Sequence, residues 1–373
     1  MGTPEFAVAP LKALLMAGYE VVGVVTVPDR QKGRGLHFEA SDVKKFVLEY
    51  NSSLSPDSKN APIPILQPEK LRDENFLSEL KSLRADLFIV VAFRMLPECV
   101  WQMPPLGTFN LHASLLPKFR GAAPINWAII KGEKQTGVTT FLIDNKIDTG
   151  EILLQRSCAI EPEENVGTLH DKLLSMGASL VVETVRGIEE GSLNPVKQTA
   201  LLDTLCETSD KDDVLKCPMD KMLLEEVLKT KFAAPKLNEK NRTINWESPA
   251  AEVDRLVRGL SPYPAAITSM KAKNNCTSVF ATGKEEHSEV VIPFKIYNTS
   301  VCTPDKYNAL TSQENTTATG DCGCITTTKD GRMFVRCSDA YLEILELQMS
   351  GKKRMSAADF LRGFRGIEDH CFL

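Results

Sequence analysis

The chain has 373 residues, 43% of them hydrophobic and 25% charged, with a formal net charge of −5. That length suits about two domains of ordinary soluble proportions. No apolar run approaches the roughly 20 residues that span a bilayer, and the first residues lack the basic-then-apolar pattern of a secretory signal, so a cytoplasmic protein is expected. The ten cysteines are scattered from Cys99 onward without a C-x-x-C pair. Their closest pair, Cys322 and Cys324, has no nearby histidine to complete a zinc set, so reduced, structural thiols and no metal are expected. A mildly acidic chain does not advertise nucleic-acid binding, and any such role must rest on local basic segments.

In chain order, residues 4–17 place Phe6, Leu11, Leu14 and Leu15 at helical spacing, with Pro4 in the first turn. Strands are expected at Glu20–Thr26, Pro64–Leu66, Leu87–Ala92, Thr108–His112 and Gly137–Ile143, and helices at Leu71–Arg84 and Thr168–Glu190. This alternation reads as an α/β domain with a parallel-rich sheet. The opening is unusual, because the Gly2 turn normally follows a strand and here no strand precedes it. We expect the first strand to be missing and the start to be an internal methionine.

Residues 203–226 carry eight acids against three lysines, and residues 229–273 carry nine Lys/Arg against four acids. This change of sign marks an exposed connection, so the division expected is 1–202, a catalytic domain; 203–240, an acidic-then-basic linker; and 241–373, a small β-barrel. Barrel strands are expected at Thr277–Ala281, Glu289–Tyr297, Gly323–Thr328, Met333–Arg336 and Tyr341–Gln348, with a loop at 311–323 and a closing helix at Ser356–Phe364.

The chemistry concentrates in Gly107–Leu154. Asn110 and His112 are two apart on an expected strand, hence on one face, at the end where open α/β sheets bind ligands. Asp148 follows another strand, in a loop that Gly150 lets turn sharply. An amide, an imidazole and a carboxylate converging on one crevice are parts suited to acyl transfer. Singly each is weak evidence, since Asn-x-His is often only a strand-end hydrogen bonder and Asp-Thr-Gly only a turn.

This segment resembles the signature of the 10-formyltetrahydrofolate-dependent formyltransferases, most closely those acting on methionyl-tRNA. The likeness extends to GTPEFA (2–7), PDRQKGRG (28–35), VVAFRMLP (90–97), INW (244–246), RLVRGLSPYPAA (255–266) and LQMSGKKRMSAADFL (347–361). It implies a Rossmann-like domain followed by an oligonucleotide-binding-like barrel. It also implies Asn110, His112 and Asp148 as catalytic residues, with Asn110 and an imidazolium at His112 holding an oxyanion and Asp148 relaying the proton. The folate pocket would come from Phe93, Arg94, Met95, Leu96, Pro97, Ser114, Leu115, Leu116, Pro117, Asp144 and Gly150. The tRNA contacts would be Arg30, Lys32, Arg34, Lys236, Arg242, Arg258, Lys352, Lys353 and Arg354.

The implied reaction moves the formyl group of 10-formyltetrahydrofolate to methionyl-initiator-tRNA for translation initiation, by direct attack without a metal, in a monomer. The runner-up acceptor is a UDP-amino-sugar, whose enzymes also carry a barrel; the glycinamide ribonucleotide enzymes lack one. A folate- or RNA-binding module without catalysis is a different class of reading, which the intact trio disfavours. The chain departs from the family pattern at Ser41-Asp42-Val43-Lys44, where Ser-Pro-Val-Lys is usual, and in the length of the acidic insert.

Overall fold

The computed structural model describes residues 1–32, 37–55, 61–201, 226, 228–272, 291–311, 321–364 and 366–373. The expected strand Thr277–Ala281, most of the acidic insert, most of loop 311–323 and Arg34 lie outside them. Two compact units divide the chain: Met1–Pro124 with Gln135–Ala159 and His170–Ala234, and Ile125–Lys134 with Ile160–Leu169 and Pro235–Leu373.

The first unit begins with a helix, α1 (Glu5–Met16), capped by Pro4, whose missing N–H costs nothing at that position. Strands follow as β1 (Val24–Val25), β2 (Arg30–Lys32), β3 (His37–Glu39), β4 (Ile65–Leu66), β5 (Phe88–Val91), β6 (Thr108–His112), β7 (Arg120–Gly121), β8 (Gln135–Leu142), β9 (Ile152–Ala159) and β10 (Ala233–Ala234). Helix α2 (Asp42–Ser53) starts at Ser41, whose hydroxyl accepts from the Lys44 amide. Helix α3 (Glu74–Ser82) starts at Asp73, whose carboxylate accepts from the Phe76 amide. Short strands were expected longer: only Val24–Val25 of Glu20–Thr26 pairs.

Four strands form the main sheet in the order β5-β6-β8-β9. Strands β5 and β6 are parallel, whereas β6–β8 and β8–β9 are antiparallel. A single loop joins β8 to β9, and a short connection of that kind imposes antiparallel pairing. Strands β1 and β4 form a separate parallel pair. Among the described residues, Met1 and Gly2 stand between β1 and β5: the Met1 amine donates to the Ile89 carbonyl at 2.6 Å, and the Gly2 amide to the Val25 carbonyl at 3.0 Å. Val25, Leu66, Phe76, Leu80, Phe88, Val90, Leu96 and Val100 are buried together as a core under this end of the sheet.

The second unit contains β11 (Ala266–Ala272), β12 (Ile292–Cys302), β13 (Ile325–Thr327), β14 (Met333–Arg336), β15 (Tyr341–Met349), β16 (Met355–Ser356) and β17 (His370–Phe372). The order β13-β14-β15-β12-β11-β17 is antiparallel throughout. An antiparallel bridge from Cys371 to Cys324, beside β13, brings the two ends of that order together. The strands therefore close as the expected barrel, which leaves few unpaired edges. Its interior holds Ile244, Trp246, Val257, Leu260, Met270, Phe294, Ile296, Leu342, Phe360 and Phe372. Phe294 meets Phe360 edge-on at 5.6 Å, and Trp246 stacks on Phe372 at 5.5 Å. Burial pushes the Cys337 thiol up to about 12, so it behaves as a small apolar side chain.

Candidate active site

Strand β6 carries Asn110 and His112 two residues apart, as period-two geometry requires. In register, Asn110 faces Phe141 and His112 faces Thr139 of β8. His112 is only 6% exposed, and its ring meets Phe141 edge-on. His112 Nε2 donates to the Phe119 carbonyl at 2.9 Å, which fixes the tautomer and turns Nδ1 toward the Asp148 carboxylate, 3.8 Å away. Asn110 Oδ1 is enclosed with no hydrogen-bond partner among the described residues. An enclosed amide atom left unpaired costs stability, and such groups are retained where a ligand completes them.

Because β8 is antiparallel to β6, Leu142 lies opposite Phe109, at the start of β6. The following loop must fold back along the sheet to bring Asp148 to His112. Three features hold that return. Asp144 accepts from the Lys146 amide and the Thr149 hydroxyl, so its carboxylate shapes its own loop. Asp148 has the left-handed φ of 54°, a conformation that costs energy for a side-chain-bearing residue. Gly150 passes so close to Leu142 that a Cβ would lie 1.6 Å from its carbonyl oxygen, which admits glycine alone.

The loop opposite is equally fixed. Thr139 donates its hydroxyl to the Ser114 carbonyl at 2.6 Å, and the Gln155 amide donates to the Leu116 carbonyl at 2.8 Å. The Ser114 hydroxyl donates to the Lys118 carbonyl. Strands β7 and β10 pair in parallel, and the Phe119 amide donates to the Phe232 carbonyl at 2.7 Å. This places the Gly121 amide 2.8 Å from Asp148 Oδ2, a charge-assisted bond that orients the carboxylate.

Sequence reasoning missed Gln198, and it placed Phe119, Arg120 and Gly121 only at the border of the acceptor entrance, without the orienting roles of the Phe119 carbonyl, the Gly121 amide and the Arg120 fork. Gln198 is 2% exposed, and its amide donates to both the Asp148 and Gly150 carbonyls at 2.9 Å. Its oxygen accepts a fork from Arg120 at 3.0 and 2.6 Å. Val196, two residues earlier, exchanges two backbone bonds with Ile152 and so lays this segment beside β9. No motif marks Gln198; the only available signal was that Arg120 and Gly121 belong to the segment already singled out.

The expected folate residues divide by accessibility. Leu96, Ser114, Leu116 and Pro117 are buried, and Leu115 is half-buried. The Leu116–Pro117 peptide is cis. Phe93 packs partly into the core, and Arg94 donates to the Glu69 and Pro68 carbonyls, with burial and nearby Arg30 lowering its pKa. Met95 and Ile147, at 68% and 63% exposure, are the large apolar side chains left open on the two loops. Flat apolar ligands are met by such side chains together with backbone groups.

Of the expected tRNA residues, Arg242 donates to the Ala265 and Pro264 carbonyls, and Arg258 pairs with Asp254 at 2.8 Å and donates to the Glu164 carbonyl. Arg354 pairs with Glu346 and lies 4.4 Å over the Tyr297 ring. Arg30, Lys236, Lys352 and Lys353 are exposed. Lys32 lies in β2, in a hairpin with β3.

A family model described as formyl transferase matches residues 1–185, and one described as formyl transferase, C-terminal domain, matches 236–365. The methionyl-tRNA formyltransferase of Flavobacterium johnsoniae is 42% identical over 97% of this chain and 94% of its own length. That of Parabacteroides distasonis is 42% identical over 99% and 96%. The chain belongs to the methionyl-tRNA formyltransferase family. Among solved structures, its fold is similar to an N-formyltransferase from Helicobacter canadensis complexed with folinic acid and dTDP-3-aminofucose (TM-score 0.54, 16% identity, 95% of this chain and 97% of that one). It is also similar to HypX from Aquifex aeolicus complexed with tetrahydrofolic acid (TM-score 0.50, 16% identity, 92% of this chain), of which it spans about half, 48%. For a formyltransferase of this family, the Asn110–His112–Asp148 cluster is the candidate centre.

Proposed function

We propose that the protein transfers the formyl group of 10-formyltetrahydrofolate to the α-amino group of methionyl-initiator-tRNA, in the cytoplasm. The observation that carries this reading is the approach of His112 to Asp148 at the end of β6, with Asn110 two residues before His112 on the same strand, within a family of formyl-transferring enzymes. The neutral amine attacks the formyl carbon, and the carbonyl electrons move to oxygen. The Asn110 amide donates to that oxyanion, a contribution of roughly 3 kcal/mol for one donor of this kind. In the imidazolium form of His112, Nδ1–H donates to the same oxyanion while Nε2–H stays on the Phe119 carbonyl. As the carbon–N10 bond breaks, Asp148 takes the proton from the attacking nitrogen and passes it to the departing folate nitrogen.

In this reading Met95 and Ile147 flank the pterin, and Phe93, Arg94, Leu96, Pro97, Ser114–Pro117, Asp144 and Gly150 shape the pocket with backbone. Arg30, Lys32 and Arg34 reach the acceptor end of the tRNA, while Lys236, Lys352 and Lys353 follow phosphates. Arg242 and Arg258 support those surfaces from within, and Arg354 does so at the surface, paired with Glu346. Residues 1–202 form the catalytic portion, 203–240 the connection and 241–373 the tRNA-binding portion. The test supplies 10-formyltetrahydrofolate with methionyl-tRNA, and separately with a UDP-amino-sugar. Formyl-methionyl-tRNA is the expected product; a formylated sugar alone would keep the chemistry and discard the acceptor.

A further inference from the structure

The barrel of the second unit closes at a point that carries two thiols. Along one side β17 pairs with β11, Met270 with Phe372, Lys271 with Cys371 and Ala272 with His370. Along its other side β17 meets the residues that lead into β13, where Cys371 is bridged antiparallel to Cys324. The Phe372 amide donates to the Gly323 carbonyl at 2.9 Å. That bond joins the residue after Cys371 to the residue before Cys324, so the two cysteines lie between hydrogen bonds rather than exchanging them. Pairs of that kind are the closer ones in an antiparallel ladder, with Cα atoms about 4.5 Å apart and both side chains on one face. A disulfide accepts Cα separations of roughly 4.4–6.8 Å.

Alternation fixes which face this is. Ile325 and Phe372, each one residue further along, are buried in the barrel interior, so Cys324 and Cys371 project outward. Both are half-buried thiols, open enough for a small reagent to reach. Cys322 packs against the interior instead, and Cys337 lies within it. With its thiol pushed up to about 12, Cys337 supplies no thiolate near neutral pH. Gly323 permits the close approach: a Cβ there would lie 2.2 Å from the Phe372 carbonyl oxygen, and its φ of 84° is one that side chains rarely adopt.

We propose that Cys324 and Cys371 form a reversible disulfide by exchange with a small disulfide of the oxidised-glutathione type. One protein thiolate attacks a sulfur of the oxidant and expels the first oxidant thiolate. The second protein thiolate then attacks the protein sulfur of the mixed disulfide and expels the other. One S–S bond of the oxidant is broken and one protein S–S bond is made. The oxidant leaves as two thiols carrying the two electrons and the two protons. An accessible pair of this kind stays reduced in a reducing cytoplasm and joins when the surroundings oxidise. The new bond closes the chain from 324 to 371 into a loop and ties β17 covalently to the start of β13. Closure of the barrel then no longer rests on backbone bonds alone.

The experiment equilibrates the full chain in glutathione buffers from fully reduced to fully oxidised, traps the thiols by alkylation and maps the peptides by mass. A linked Cys324–Cys371 peptide is expected to grow with the oxidised share and to vanish with dithiothreitol. In the linked form, hydrogen exchange at the Phe372 amide should slow by about tenfold or more. The melting temperature should rise by on the order of 10 °C. Cys324→Ser and Cys371→Ser should each lose all three responses, whereas Cys322→Ser should keep them. A link from Cys322 to Cys371 instead, or glutathione left on either cysteine without closure, would overturn the proposal. So would a link that forms only in urea, which would assign it to the unfolded chain. None of these readouts depends on formyl transfer.

Discussion

In the first unit the β1–β4 pair and the four-stranded sheet are separate, with the buried Met1 amine between β1 and β5, whereas in the second the strands close through the Cys324–Cys371 bridge. The candidate reacting groups are in the first unit, on β6 and on a loop held by a few buried polar bonds. The second unit has a dense aromatic core and exposes lysines. The contrast teaches that fixing a carboxylate near an imidazole needs local hydrogen bonds more than a complete sheet. It also assigns effects: changes at the Asn110–His112–Asp148 cluster and the bonds that hold it should act on kcat, and changes at the exposed lysines of the second unit on tRNA binding.

The largest expected effect is Asp148→Asn, which keeps an acceptor for the Gly121 amide but loses the proton relay; kcat for formyl-methionyl-tRNA should fall by about 10²–10⁴-fold. Turnover within a few-fold of the unaltered protein would remove Asp148 from the chemistry. Next, Gln198→Ala leaves two carbonyls and the Arg120 fork without their partner. It is expected to cost about 1–3 kcal/mol of stability and to lower kcat by about tenfold with little change in KM. A change in KM alone would make Gln198 part of a binding surface instead.

The buried amine gives a pH dependence of stability with a definite sign. Its pKa is about 5 folded against 8.0 ordinarily, so the unfolded chain binds the extra proton between those values. Stability should therefore be complete above pH 8, decline as pH falls toward 5 and level off below. The amplitude is roughly 4 kcal/mol. N-terminal acetylation should flatten this slope in urea titrations, and a slope that survives acetylation would refute the assignment. The smallest effect is expected from Lys352→Ala with Lys353→Ala: a several-fold rise in KM for tRNA, unchanged kcat, and a salt dependence shallower by about one to two. An unaltered salt slope would put the phosphate contacts elsewhere.

Those lysines also show where local reading stops. Arg242, Arg258, Lys352 and Lys353 look alike as basic residues in a region expected to bind tRNA. Only the backbone carbonyls around Arg242 and Arg258 reveal that their guanidinium groups are committed within the fold. Asp144 behaves similarly: it is expected at the folate, and the structure adds that its carboxylate also accepts from the Lys146 amide and the Thr149 hydroxyl of its own loop.

The sequence by itself determined that Asn110 and His112 share a face of one strand, that a glycine must follow the Asp148 turn, and that Thr108–His112 and Met333–Arg336 are strands. These properties depend on residues a few positions apart, where periodicity and steric limits act directly. Tertiary structure decided that β8 returns antiparallel to β6, that its loop folds back to His112, and that Gln198, fifty residues from Asp148, holds that loop. Strand direction and buried hydrogen bonds between distant segments follow from the summed burial of the whole unit, which no short stretch of sequence encodes.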